Sequence, residues 1–230
     1  MSALPNILVP PIDLGVSAQA LLALLFPQSR PGSRDATRSV PAPFELHEHV
    51  GAERAVAEKF ISQCFAESFG SNIEAFMPRL FTVRQTGGAI CGAFGVRSAT
   101  RKLFLEQYLD TPIEQAIAEQ VGQLPERASI VEVGHFSGAF PGAVRAMIAL
   151  LTERLHREGF DWVVFTGTAG LRNAFRRLGL SPIDVAAADV DRLPADQRAA
   201  WGSYYEHAPR VLVGNIHDGY RRMCGLEDAA

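Results

Sequence analysis

Lysine is nearly missing from this chain: of 22 basic residues only Lys59 and Lys102 are lysines. Arginine carries the rest, which reads first as genomic base composition and second as a demand for planar, bidentate anion contacts. Cysteine is scarce too. Cys64, Cys91 and Cys224 are odd in number and far apart, with no CxxC pair, and the histidines offer no HxxxH pair. No metal framework is expected, and free thiols fit a reducing compartment. Long apolar runs are absent. The longest, Ala20 to Phe26, is seven residues, far short of the roughly 20 that cross a bilayer. No Lys or Arg precedes it and no cleavage site follows closely, so a secretory signal is not expected. The chain reads as cytoplasmic, without an integral membrane span. An excess of positive charge is lacking as well: the net charge of -3 argues against nucleic acid as a partner. The G-x-S-x-G elbow, G-x-G-x-x-G and the P-loop are all absent, which removes support for a hydrolase or a standard nucleotide site.

What is present is an ordinary globular balance, 47% hydrophobic and 20% charged over 230 residues. Residues 1–43 stand apart as an extension. Ser17 to Phe26 fits one short apolar helix, and Pro27 to Pro43 has the Pro/Ser-rich composition of a flexible linker. Residues 44–230 read as one α/β domain. Strands are expected at 44–47, 80–83 and 89–96, the last two joined by the hairpin signal Gln85-Thr86-Gly87-Gly88. Helical spacing marks 53–69. Thr111-Pro112-Ile113-Glu114 resembles a capping box opening a helix that ends at Gly122. A strand at 129–133, a helix at 141–158 and a strand at 162–166 form a parallel unit with a right-handed crossover. Helices at 171–178 and 194–200 and a last strand at 211–216 complete a mixed central sheet flanked by helices.

The segment Val131 to Gly142 runs from strand through a glycine-containing loop into a helix start, a natural place for an anion. Its glycines equally serve to turn the chain. Glu132 and His135 stand where ligands collect at a strand end, and either residue type can take a proton from an attacking amine. Their structural readings are a Glu132 ion pair with Arg97 or Arg127 and a His135 that caps the loop. Glu106 and Tyr108 sit among large apolar residues in Leu103 to Asp110. Glu106 reads either as a holder of a cationic amine or as the partner of a nearby arginine. Trp201 to Glu206 reads as core or as a lid over an apolar ligand.

Several blocks together resemble the thermostable hemolysin family: Leu103 to Asp110, Ile130 to Gly134, Trp162 with Phe165-Thr166, Leu171-Arg172-Asn173, Leu178-Gly179-Leu180, and Trp201-Gly202 with Tyr204-Tyr205-Glu206 and Pro209. The similarity spans about residues 44–222. It implies a GNAT-like fold, with acyl-homoserine-lactone synthases and N-acyl amino acid synthases as functional analogues. It further implies Glu132 and His135 as catalytic residues. A thioester arm and phosphate would lie along Phe136, Ser137, Gly138, Gly142, Ala143 and Asn173. Glu106, Tyr108, Trp201 and Tyr205 would meet the substrates. Phe175 occupies the position where this fold usually carries a tyrosine acid, so Tyr108 or Tyr205 would have to protonate the leaving thiolate, or it leaves unaided. The usual phosphate-loop pattern is reduced here to Ala139, Gly142 and Val144. That favours an acyl carrier protein, with one phosphate, over coenzyme A as the acyl-phosphopantetheine donor. Arg172, Arg176 and Arg177 would face the carrier. No permanently bound cofactor is expected. The reading is an N-acyltransferase that moves a medium or long acyl chain to a small amine. The rivals are a directly membrane-lytic protein, a homoserine-lactone-type synthase using S-adenosylmethionine, and a non-catalytic binding module.

Overall fold

A computed structural model describes residues 44–225. The expected helix at 17–26 and linker at 27–43 lie outside the described residues. Seven strands form a single sheet: β1 (Phe44–His49), β2 (Arg79–Gln85), β3 (Ile90–Ser98), β4 (Ile130–Gly138), β5 (Trp162–Gly167), β6 (Ile183–Ala187) and β7 (Arg210–Asn215). Their order is β1-β2-β3-β4-β5-β7-β6, and every neighbouring pair is antiparallel except β4 with β5. The helices are α1 (Arg54–Phe69), α2 (Ile113–Val121), α3 (Pro141–Arg157), α4 (Ala169–Arg177), the short α5 (Ala195–Arg198) and α6 (Ile216–Met223). This is a mixed α/β architecture, one central sheet flanked by helices.

Alternation along the strands divides the core. Val131, Val133 and Phe165 pack with Met147, Ile148 and Leu151 of α3 and with Ile216 and Tyr220 of α6. Ile130, Val164 and Val213 face the other way, onto Leu103, Leu105 and Ile117. On that second face α1 contributes Ala57, Ile61 and Phe65, which pack with Tyr204 and Met77. An ion network of Glu48, Arg79, Arg154 and Glu158 ties β1 and β2 to the end of α3.

The expected helix at 53–69, the hairpin, the β4–α3–β5 parallel unit and the helix stop at Gly122 (φ 76°) all appear. Four expectations need correction. The helix cap shifts by one residue: Pro112 is the N-cap, and no side chain caps the end. Glu114 instead binds Arg127, because an ion pair with a fixed guanidinium outcompetes a weak local bond. The segment after Val133, read as loop, is strand as far as Gly138. The last strand is not the last element, since α6 follows it directly. Finally β6, too short and alanine-rich for a period-2 signal, went unread, and it pairs outside β7.

Two strand details shape what lies between β4 and β5. Their parallel ladder holds only four pairs, from Ile130↔Trp162 to Val133↔Phe165. Beyond Val133 the strands separate. On its other side β4 carries a bulge against β3, where Ala93 meets Ser137 but Gly95 meets Gly134. One extra residue is thus accommodated in β4. His135 lies in the bulge with φ 55°, a left-handed conformation uncommon for a residue with a Cβ.

Candidate active site

The separation of β4 from β5 opens a cavity of about 1000 Å³. Its walls are rich in aromatic rings from both faces of the sheet, among them Phe65, Phe76, Phe104, Phe136, Phe165 and Trp201. Glu132, His135 and Arg97 bring charge and polarity to the same walls. Large apolar hollows with a few convergent polar groups are the ordinary form of a small-molecule site.

Glu132 is 3% exposed. Its two oxygens accept from the backbone amides of Phe104 and Leu105, each at 2.9 Å, and Arg97 Nη1 stands 3.9 Å from Oε2. Burial pushes its pKa up; the two amides and the Arg97 charge oppose this without reversing it. A carboxylate in this position is a stronger base than an exposed one, and each oxygen keeps a lone pair. His135 shows the reverse. Burial, with help from the Arg97 charge, pushes its pKa down to about 4 against a hydrogen bond to the Ala75 backbone. The ring is therefore neutral at pH 7, sits between Phe65 and Phe76, and its buried Nδ1 has no hydrogen-bond partner.

Tyr108 also lines the cavity and Tyr205 stands behind it, hydroxyl to hydroxyl at 2.5 Å. Burial raises the pKa of both, Tyr205 to about 12. Trp201 contacts Phe65, Phe104 and Tyr204. Its placement depends on Gly202 (φ 51°), where a Cβ would lie 2.1 Å from the Phe69 carbonyl oxygen at the end of α1.

Other residues singled out in the sequence fall elsewhere. Glu106 is not on the cavity wall. It holds Arg127 through both oxygens at 2.7 and 2.8 Å and accepts from the amides of Leu103 and Ile113. Burial acts to raise its pKa, but Arg127 and the amides together leave it lowered. The arginine-partner reading describes it, and the Leu103–Tyr108 turn is what it organises. Ser137 is buried and donates to the His135 carbonyl across the bulge at 3.0 Å. Asn173 is exposed and pairs with Arg176, while Arg172 is committed to the carbonyls of Gly167 and Ala208. Gly138 lines a second hollow of about 350 Å³ with Phe140, Pro141, Arg145, Ala174 and Arg177. Gly142 and Ala143 belong to the first turn of α3, whose N-cap, Phe140, makes no side-chain cap bond.

Arg97, read from the sequence only as a possible ion partner of Glu132 and found 3.9 Å from it, and the segment Ala75–Met77 were missed as site residues. Arg97 ends an apolar strand, and only the β3–β4 register, which places it opposite Glu132, brings it into the cavity. Among the described residues no three His, Cys, Asp or Glu side chains group as a metal site. The spacing His47-Glu48-His49 brings no third ligand, with His49 bound to Thr82 and His47 near Glu45. No helix among the described residues is long and apolar enough to cross a membrane.

A family model described as thermostable hemolysin matches residues 47–220. No curated protein matches the sequence. Among solved structures the chain is similar to TofI in a ternary complex with an inhibitor and MTA (TM-score 0.55, 17% identity, covering 81% of this chain and 98% of that one). It is also similar to FeeM, an N-acyl amino acid synthase from uncultured soil microbes (0.53, 12%, 77% and 93%). A third is BjaI, a CoA-dependent acyl-homoserine lactone synthase, with SAM and isopentyl-CoA (0.51, 13%, 80% and 89%). At these identities the likeness is one of fold.

Proposed function

Because the chain belongs to the thermostable hemolysin family and has a GNAT-like fold, we propose that it is an N-acyltransferase. It moves a medium or long fatty acyl chain from a pantetheine thioester to the amine of a small polar acceptor. One observation carries this reading: the aromatic cavity between the separated β4 and β5, with Glu132 and His135 in its wall. Its volume is at the upper end for a small-molecule site, which suits a long flexible chain. FeeM and BjaI, which share the fold, are synthases of N-acyl products or acyl-homoserine lactones by their descriptions.

The acceptor nitrogen attacks the thioester carbonyl, a C–N bond forms and the C–S bond breaks. Glu132 takes the proton released by nitrogen, and neutral His135 accepts an N–H hydrogen bond that orients the lone pair. The thiolate leaves and takes its proton from water, since burial raises the Tyr108 pKa and makes that hydroxyl a weaker acid than the departing thiol. Holding amine and thioester together supplies much of the rate. The Leu103–Tyr108 turn, pinned by Glu132 and Glu106, brings Phe104 and Tyr108 over the acyl chain, and Trp201 closes the opposite wall.

The second hollow supports a carrier-protein donor. It lies at the uncapped start of α3, where backbone N–H groups and the helix dipole favour one phosphate. Arg145 and Arg177 line it, and a single pantetheine phosphate matches this modest site better than the diphosphate of coenzyme A. Acyl carrier proteins loaded with a range of chain lengths, incubated with the protein and a pool of amines, test both points by intact-protein mass spectrometry. Loss of the acyl mass with a matching N-acyl product is expected. Transfer from acyl-coenzyme A alone overturns the donor assignment, and transfer from neither overturns the enzyme.

A further inference from the structure

Arg97 is placed in the cavity without a close partner. Among the described residues its guanidinium makes no hydrogen bond, and the one carboxylate within ion-pair range is Glu132 at 3.9 Å. Glu132 cannot close that gap cheaply. Glu132 is pinned through both oxygens to Phe104 and Leu105, and a swing toward Arg97 would release two buried amides. The two residues are direct partners in the β3–β4 ladder, so their side chains share one face of the sheet. The charge of Arg97 also reaches His135, whose pKa it helps to depress. The wall therefore presents a guanidinium fork, a fixed carboxylate and a neutral imidazole side by side among aromatic rings.

A guanidinium with its donors unspent is matched by a planar anion that can accept two parallel N–H bonds, above all a carboxylate. A fixed carboxylate beside it is matched by an ammonium. We propose that the molecule bound here is an amino acid, with its carboxylate taken by Arg97 and its ammonium by Glu132. This deepens the acyltransferase reading by naming the class of acceptor, and it puts the nitrogen to be acylated beside His135. The charge pair, within ion-pair range at 3.9 Å but not hydrogen-bonded, is matched by a zwitterion whose own charges are one carbon apart. A simple amine leaves the guanidinium unmatched and is discriminated against.

Isothermal titration of the full-length chain near neutral pH, with no acyl donor present, tests the assignment. The probes are matched pairs that differ only by a carboxylate: L-leucine and isoamylamine, L-phenylalanine and phenethylamine, L-ornithine and putrescine. At least one amino acid is expected to bind, with its amine about 10- to 100-fold weaker. Arg97→Gln is expected to erase the difference. Arg97→Lys, which keeps the charge but loses the fork, should retain part of it and serves if the glutamine variant does not fold. Equal binding of amine and amino acid, discrimination that survives in Arg97→Gln, or no amino acid bound at millimolar concentration overturns the proposal. Because no donor takes part, failed acyl transfer would remove the enzyme reading and leave this one intact.

Discussion

The hydroxyls of Tyr108 and Tyr205 lie 2.5 Å apart, and the two rings differ sharply in surroundings: Tyr108 is 3% exposed and Tyr205 is partly open to solvent. Removing the outer hydroxyl strands the inner one. Tyr205→Phe should therefore destabilise the protein by about 1–3 kcal/mol, the cost of a buried polar group without a partner. Tyr108→Phe leaves a hydroxyl that water can serve and should cost less. The double variant should be no worse than Tyr205→Phe alone. Urea unfolding of the three variants measures the coupling directly; equal costs for the two single changes would contradict the asymmetry.

Glu132→Gln carries two separable effects. Loss of the proton acceptor should lower kcat by about 10²-fold or more. The new amide group must also turn its NH₂ toward one of the Phe104 and Leu105 amides, donor against donor, and stability should fall by about 1–3 kcal/mol. Since burial holds the Glu132 pKa above that of an ordinary carboxylate, kcat/KM in the parent should rise with pH through a value above 4.5. That acid limb should vanish in the variant. A pH–rate profile for both proteins decides it.

His135 gives stability an acid dependence with a definite sign. Its folded pKa, about 4, lies below the unfolded value near 6.5. Between these values the unfolded chain binds a proton that the folded chain refuses. The histidine's contribution is therefore intact above about pH 6.5 and is lost on acidification toward pH 4, by at most about 1.4 kcal/mol per pH unit. His135→Asn suits the positive φ and removes the titration. Its unfolding free energy should fall less steeply than the parent's over that interval in denaturant titrations at stepped pH.

Glu106→Gln and Arg127→Met should resemble each other and differ from Glu132→Gln. Both break the clamp that sets the Leu103–Tyr108 turn, so amide exchange at Leu103 and Ile113 should accelerate. Acyl-chain KM should rise as Phe104 and Tyr108 lose their placement. Acceptor affinity should stay nearly constant. A selective loss of acceptor binding in Glu106→Gln would instead return this carboxylate to the substrate.

Much of the frame was legible because it rests on local signals. The amphipathic stripe from Val144 to Leu155, Pro141 at a helix start and glycines with positive φ at helix ends each act within a few residues. The site was legible only as residue types. Glu132 and His135 could be singled out at a strand end, but the bulge that turns His135 into the cavity depends on pairing with β3, a partner some forty residues away. Arg97 meets Glu132 only through that same register. Glu106 misled for a related reason: an acid among leucines has the same local appearance whether it awaits a ligand or already holds Arg127. β6 left no trace because its five residues are stabilised almost entirely by β7, which follows it in sequence.

The short β4–β5 ladder has a mechanical consequence. Four residue pairs are all that stitch β1–β4 to β5–β7 within the sheet, and the cavity occupies the unstitched remainder. The sheet is thus thinly stitched where the molecule is hollow. A load applied across the strands would bear on those four pairs alone at this seam, and whatever fills the hollow becomes the missing length of thread.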